Sequence, residues 1–321
     1  MLNTTDKKIV YLDGETLRYM YYTFTEERVY PVMKKFYSVL ADGFVNNLLV
    51  TPLSVDHVLP YINEKKVEAS FLDMMGEIGQ VQFHQRFTIK TLQLMRIINH
   101  FFNNSVNKPL WRDVFTDDPD GRNSNAFKRY TSISAQNAIQ SASREKNHSQ
   151  IFEFLEGYKS GKPVEEIAIL HFRSIWEQFP ELVRPSLPTV GAADMNFARF
   201  LENKEIMEIP EFHIMATLMY PLIEAYGIEQ IEHGLRDEEL LAAETVAAYL
   251  PYCHYYITKI DIAEVLTMSD VQETYGVRIY DYNESSIYQF INDITDDLKH
   301  DLSRKDYLSR KSIFQKGGTK Y

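Results

Sequence analysis

The 321-residue chain has a single cysteine, Cys253, which rules out an intramolecular disulfide and any cysteine-rich zinc site. Its nine histidines form no HxxxH or HxH pair, so a histidine-based zinc site has no support. There is no GxGxxG and no P-loop, which excludes nucleotide binding by those motifs. No apolar run approaches the roughly 18 residues that a membrane span requires, so no membrane partner is expected. The amino terminus runs past Lys7 and Lys8 into a short strand, unlike a signal peptide, and the expected location is the cytoplasm. Positive charge is also scarce. A net charge of −11 argues against a broad nucleic-acid-binding face, while a local basic groove remains compatible with it.

What is present is a globular composition, 45% apolar and 25% charged, with length enough for one large domain or a domain carrying an insertion. A β-branched and aromatic run over residues 7–13 breaks at Asp13-Gly14 and reads as a strand. Helical spacing follows from Glu15 to Leu40, divided by Pro31. A second short strand is expected over Asn47–Thr51, and Ser54 is expected to cap the next helix. Strand, helix, strand, helix makes a βαβ unit and therefore a parallel pair.

A buried helix is expected over Thr88–Asn104, then a polar loop to Asn125, helices over 126–178, and a linker marked by Pro180, Pro185 and Pro188. Further helices are expected near 194–204, 210–226 and 236–250. The stretch Tyr249–Met268 organises the carboxyl-terminal half: a helix end, a Pro-marked turn, a buried strand over Cys253–Thr258, and a new helix. A strand at Val277–Tyr280 and a helix at Ser285–Leu298 follow, and the polar, basic last twenty residues read as disordered or partner-binding. The expected division is residues 1–102 and 191–300 as two parts of an α/β core, 103–190 as a helical insertion with its linker, and 301–321 as a tail.

Ligands in α/β proteins bind in the crevice at the carboxyl ends of the strands. Asp13, Thr258, Lys259 and Asp261 are expected there, with Glu15 close by. Carboxylates at such a place suit a hard divalent cation, while the plainer role for Asp13 is to cap the following helix. Glu239 and Glu244 lie five residues apart, about 140° around a helix, so only one of them can face the crevice. Ser54, Asp56 and His57 have no third partner for a hydrolytic triad, and Ser and Asp at a helix start are mostly caps. The Asp117-Asp118-Pro119-Asp120-Gly121 run lacks the closing Glu of a calcium loop.

With Asp13 at the first strand end, VTPLSVDH at 50–57 and LPYCHYYITK at 250–259, the chain resembles a bacterial branch of the PIN-like domains. The resemblance covers roughly residues 7–100 and 205–295 and implies a parallel, Rossmann-like sheet of four or five strands flanked by helices, with a helical insertion. It also implies a metal-dependent RNA endonuclease, using Mg²⁺ or Mn²⁺ on RNA, of the kind that serves as a toxin or antiviral effector. Under that reading Asp13, Asp261 and Glu244 hold metal, Glu239 stands as an alternative, and Thr258 orients substrate or water. Asp13, Pro52, Leu53, Ser54, His57 and Thr258 match the family pattern, while its other acids fall on Pro60, Ala242, His254 and Lys259. Those replacements imply the other expectation: a catalytically degenerate protein that acts as an interaction or regulatory subunit, through its helical insertion or basic tail.

Overall fold

The computed structural model describes residues 7–25, 30–54, 57, 74, 79–84, 86–103, 111–116, 157, 159–163, 166, 209–226 and 237–316. The expected helices over 126–178 lie largely outside these residues. The proline linker, the helix at 194–204 and the Asp117–Gly121 run lie wholly outside them.

The core is a parallel sheet. Strand β1 (Lys8–Leu12) is followed by α1 (Gly14–Phe24), α2 (Pro31–Val45), β2 (Leu49–Leu53) and β3 (Gly79–Gln82). Then come α3 (Arg86–Asn103), α4 (Trp111–Val114), α5 (Pro210–Tyr226) and α6 (Asp237–Tyr249). A 3₁₀ turn (Leu250–Tyr252) leads into β4 (Tyr255–Thr258), α7 (Ile260–Met268), α8 (Val271–Tyr275), β5 (Arg278–Asp281) and α9 (Glu284–Lys316). The strand order is β3-β2-β1-β4-β5, and every pairing is parallel. Among the described residues no helix is long and apolar enough to cross a membrane.

The strands are apolar on both sides because the sheet is covered on both sides. In β1, Ile9 and Tyr11 enter one core with residues of α3, α5, α6 and α7. Val10 and Leu12, pointing the other way, enter a second core with α1, α2 and α9. The result is three layers, helix–sheet–helix. Gly43 lets α2 approach β2: a Cβ there would fall 2.1 Å from Leu49 Cδ2 and 3.3 Å from Leu298 Cδ1.

Pro31 divides the first helical stretch as expected, standing at the first turn of α2, where its missing N–H costs nothing. Other boundaries moved. The second strand lies two residues later than expected and contains Pro52, accommodated where the β2–β3 register shifts between Thr51 and Pro52. Strand β3 escaped notice because Gly79-Gln80-Val81-Gln82 has one apolar residue. The polar loop expected from Asn103 contains α4, and Val114 and Phe115 are buried in the first core. Phe115 also pairs with Phe83 as an isolated antiparallel bridge, so core packing extends beyond residue 102. Most of the expected tail is helical backbone too, since α9 continues to Lys316.

The amino ends of β1, β4 and β5 are fastened to α9 by polar contacts. Asp293, Asp297 and Asp301 recur every four residues and so share one helix face. Tyr280 donates to Asp293 at 2.6 Å and Tyr255 to Asp297 at 2.5 Å. Lys8 reaches Asp297 and Asp301 at 3.6 and 3.8 Å, and Arg278 reaches Asp297 at 3.7 Å. Burial works to raise the Asp297 carboxyl, but the Tyr255 hydrogen bond and the charges of Lys8 and Arg278 hold it below the usual carboxylate range.

Candidate functional site

The strand order reverses direction between β1 and β4: β2 and β3 extend to one side, β5 to the other. At such a switch point the connections leave toward opposite faces and open a crevice at the carboxyl ends of the strands. Leu12 ends β1 and Thr258 ends β4, so Asp13 and Lys259 flank this crevice.

Asp13 serves as the N-cap of α1. Its Oδ1 accepts the Thr16 N–H at 2.8 Å and the Thr16 hydroxyl at 2.7 Å, while its own N–H donates to the Ile257 carbonyl at 3.0 Å. Capping and crevice position are therefore combined in one residue. Burial pushes its carboxyl up to about 6, against the lowering effect of the Thr16 hydrogen bonds; the Glu15 charge adds to the rise and Lys259 opposes it. Asp13 thus changes charge close to neutral pH.

Lys259 is the N-cap residue of α7 and makes no side-chain capping bond. Thr258 is buried beside it, and Asp261 is exposed in the first turn of α7. Glu15 pairs with Arg18 at 3.4 Å. Sequence reasoning missed Tyr282, which follows the end of β5. Its phenol is pushed up to about 12 by burial, and then by the charges of Asp13, Tyr19, Glu15 and Asp261. Tyr282 packs on Tyr19 at 5.4 Å, and Tyr19 on Tyr30 at 5.3 Å, edge to face. A third strand end at the same edge was the available signal.

The remaining candidates are placed differently. Glu244 lies on α6, buried, in an ion pair with Arg86 at the start of α3. Glu239 belongs to the first turns of the same helix, and its side chain lies outside the described residues. Among the described residues no group of three or more His, Cys, Asp or Glu side chains is gathered so that it could hold a metal ion. His254 is at the amino end of β4, four residues before Thr258 and therefore roughly 13 Å from the crevice. Ala242 packs partly buried against the first core, and Pro60 lies outside the described residues.

His57 is buried under the crevice, stacked on Tyr11 with ring centroids 4.9 Å apart. Its Nδ1 accepts the Ser54 N–H at 2.9 Å, and its Nε2 lies 2.7 Å from the Leu12 carbonyl oxygen. Burial holds its pKa down at about 4, so the ring is neutral. The Ser54 hydroxyl was expected to cap a helix; it is buried without a hydrogen-bond partner among the described residues, and the Ser54 N–H serves the histidine instead. No hydrolytic triad forms around His57, since its two ring nitrogens are both occupied by backbone groups. No family model, curated protein or solved structure matches the chain, and the crevice itself is the ground for a functional reading.

Proposed function

We propose that this chain is a PIN-like α/β protein whose switch-point crevice binds rather than cuts: a catalytically degenerate interaction or regulatory subunit. The observation that carries this reading is the pairing of Glu244 with Arg86, which commits one of the two α6 carboxylates, Glu239 and Glu244, that the sequence offers to join Asp13. Mg²⁺ takes near-octahedral oxygen coordination and sheds water reluctantly, so it needs carboxylates free to turn toward it. Lys259, whose charge acts on Asp13, further opposes a cation there.

The nuclease reading draws support from a different observation. Asp13 follows the end of β1 and Asp261 stands in the first turn of α7 after β4, so two carboxylates lie at neighbouring strand ends, and their charges, with that of Glu15, raise the Tyr282 phenol. Under this reading Asp13 and Asp261 hold Mg²⁺ or Mn²⁺, Thr258 orients water, and RNA is the substrate. Such an enzyme would fit a toxin or antiviral role.

One experiment separates the two. Wild type, Asp13→Asn and Lys259→Asp are incubated with a mixed RNA pool and Mg²⁺ or Mn²⁺, beside calorimetric metal titrations. The degenerate reading expects no metal-dependent cleavage by wild type and new metal uptake by Lys259→Asp. Cleavage by wild type that disappears in Asp13→Asn overturns it in favour of the nuclease.

A further inference from the structure

The Leu12–Asp13 peptide joins the last residue of β1 to the crevice aspartate, and both of its polar groups are held. The Asp13 N–H donates to Ile257 of β4 at 3.0 Å. The Leu12 carbonyl faces His57 Nε2 at 2.7 Å. The tautomer follows from the second contact of the ring. Nδ1 lies 2.9 Å from the backbone N of Ser54, a group that can only donate, so Nδ1 is the acceptor and Nε2 carries the proton. His57 therefore donates to Leu12 and accepts from Ser54, linking the carboxyl ends of β1 and β2. Direct pairing of these strands is registered further back, at Lys8–Leu49 and Ile9–Val50. The ring is 1% exposed and is kept flat against Tyr11, 29° from parallel, so it has little freedom to turn.

We propose that His57 is a positioning residue of the crevice: the Nε2–H bond to the Leu12 carbonyl fixes the peptide that presents Asp13. The peptide is clamped from both neighbouring strands, directly from β4 and through the imidazole from β2. Two bonds on opposite edges restrain rotation of a peptide plane far better than one. Asp13 then starts α1 from a set direction, which the Thr16 contacts complete. This inference rests on the reading of Asp13 as a working carboxylate of the crevice.

The test uses two near-isosteric variants of the full chain. In His57→Gln the amide nitrogen reaches the position of Nε2 and keeps the donation to Leu12. In His57→Asn the side chain ends at the position of Nδ1 and keeps only the Ser54 contact. Backbone hydrogen exchange is read at the Asp13 amide, with the Ile9 amide at the far end of β1 as control. The expected result is an Asp13 amide exchanging about five- to tenfold faster in His57→Asn, restored in His57→Gln, with Ile9 unchanged in both. Equal acceleration at Ile9 and Asp13, or no change at Asp13 in His57→Asn, overturns the proposal. If either variant fails to fold, the ring nitrogens of the wild type decide: a nitrogen-15 spectrum at pH 7 must show the Nε2-protonated neutral ring, and any other form overturns it. None of these readouts involves RNA or metal, so their outcome is separate from that of the cleavage experiment.

Discussion

His254 and Ile9 are joined by two hydrogen bonds that use one backbone group and one side chain of the histidine. The His254 N–H donates to the Ile9 carbonyl at 2.9 Å, and His254 Nδ1 accepts the Ile9 N–H at 3.0 Å. The imidazole thus stands in for a strand carbonyl at the amino end of the β1–β4 ladder. Burial, helped by the charge of Lys8 and opposed by Asp301 and Asp297, holds this ring down at about 4. Only the neutral form can accept from Ile9.

That depressed pKa sets an acid limit on stability. The unfolded ring protonates near 6.5 and the folded ring near 4, so the unfolded state binds more protons between these values. The contribution of His254 is present in full above pH 6.5 and is lost as pH falls toward 4. Asn at this position offers an acceptor near that of Nδ1 and does not titrate. Denaturant unfolding of wild type and His254→Asn is expected to differ by an amount that changes by up to about 3 kcal/mol over this window. A constant difference from pH 7 to pH 4 would count against the prediction.

Asp13 works in the opposite direction. Its carboxyl titrates near 3.8 unfolded and about 6 folded, so the folded state binds the extra proton and stability falls as pH rises through this range. Asn caps helices as well as Asp does and carries no charge. Asp13→Asn is therefore expected to gain on wild type between pH 4 and pH 6.5, by up to about 3 kcal/mol, as measured by urea midpoints. No relative gain would mean that Asp13 ionises freely.

Gly43 is needed for space rather than for backbone freedom. A methyl group there meets Leu49 Cγ at 2.6 Å and Cδ2 at 2.1 Å, and Leu49 is itself fully buried on β2. Alanine favours a helix over glycine by about 1 kcal/mol, yet overpacking costs typically 1–3 kcal/mol. The expected outcome for Gly43→Ala is a lower melting temperature. An unchanged or higher value would show that α2 can shift away from the sheet.

The Arg86–Glu244 pair, with side chains 12% and 11% exposed, should follow the behaviour of buried ion pairs. Breaking a buried pair by removing one member typically costs about 3–5 kcal/mol, whereas replacing both by apolar groups is often neutral. Arg86→Met and Glu244→Leu are each expected to destabilise, and the double variant to recover most of the loss. Additive losses in a double-mutant cycle would show that the two side chains do not interact.

Much of the framework is written in local pattern. The apolar run ending at Asp13, the divide at Pro31 and the buried strand before Thr258 all follow from residues a few positions apart. Such signals suffice for strand, helix and the parallel pairing that a βαβ unit imposes. They also place Asp13 and Thr258 at strand ends, because a strand stops where its apolar run does.

Contacts between distant residues had no such trace. Strand β3 exists because Thr51 and Leu53 pair with Gly79 and Gln82, not because its own residues favour extension. Phe115 belongs to the core because Phe83 stacks on it at 4.9 Å. Glu244 and Glu239 were equal candidates in sequence; packing of α6 on α3 committed Glu244 to Arg86, 158 residues away. Tyr282 and His57 acquired their places only when three strand ends met at one edge. Sequence by itself determined the elements and the acid at the first strand end, since these depend on local sterics and hydrophobic periodicity. Tertiary structure alone decided the company each charged side chain keeps, because partner, burial and titration are properties of the assembled crevice.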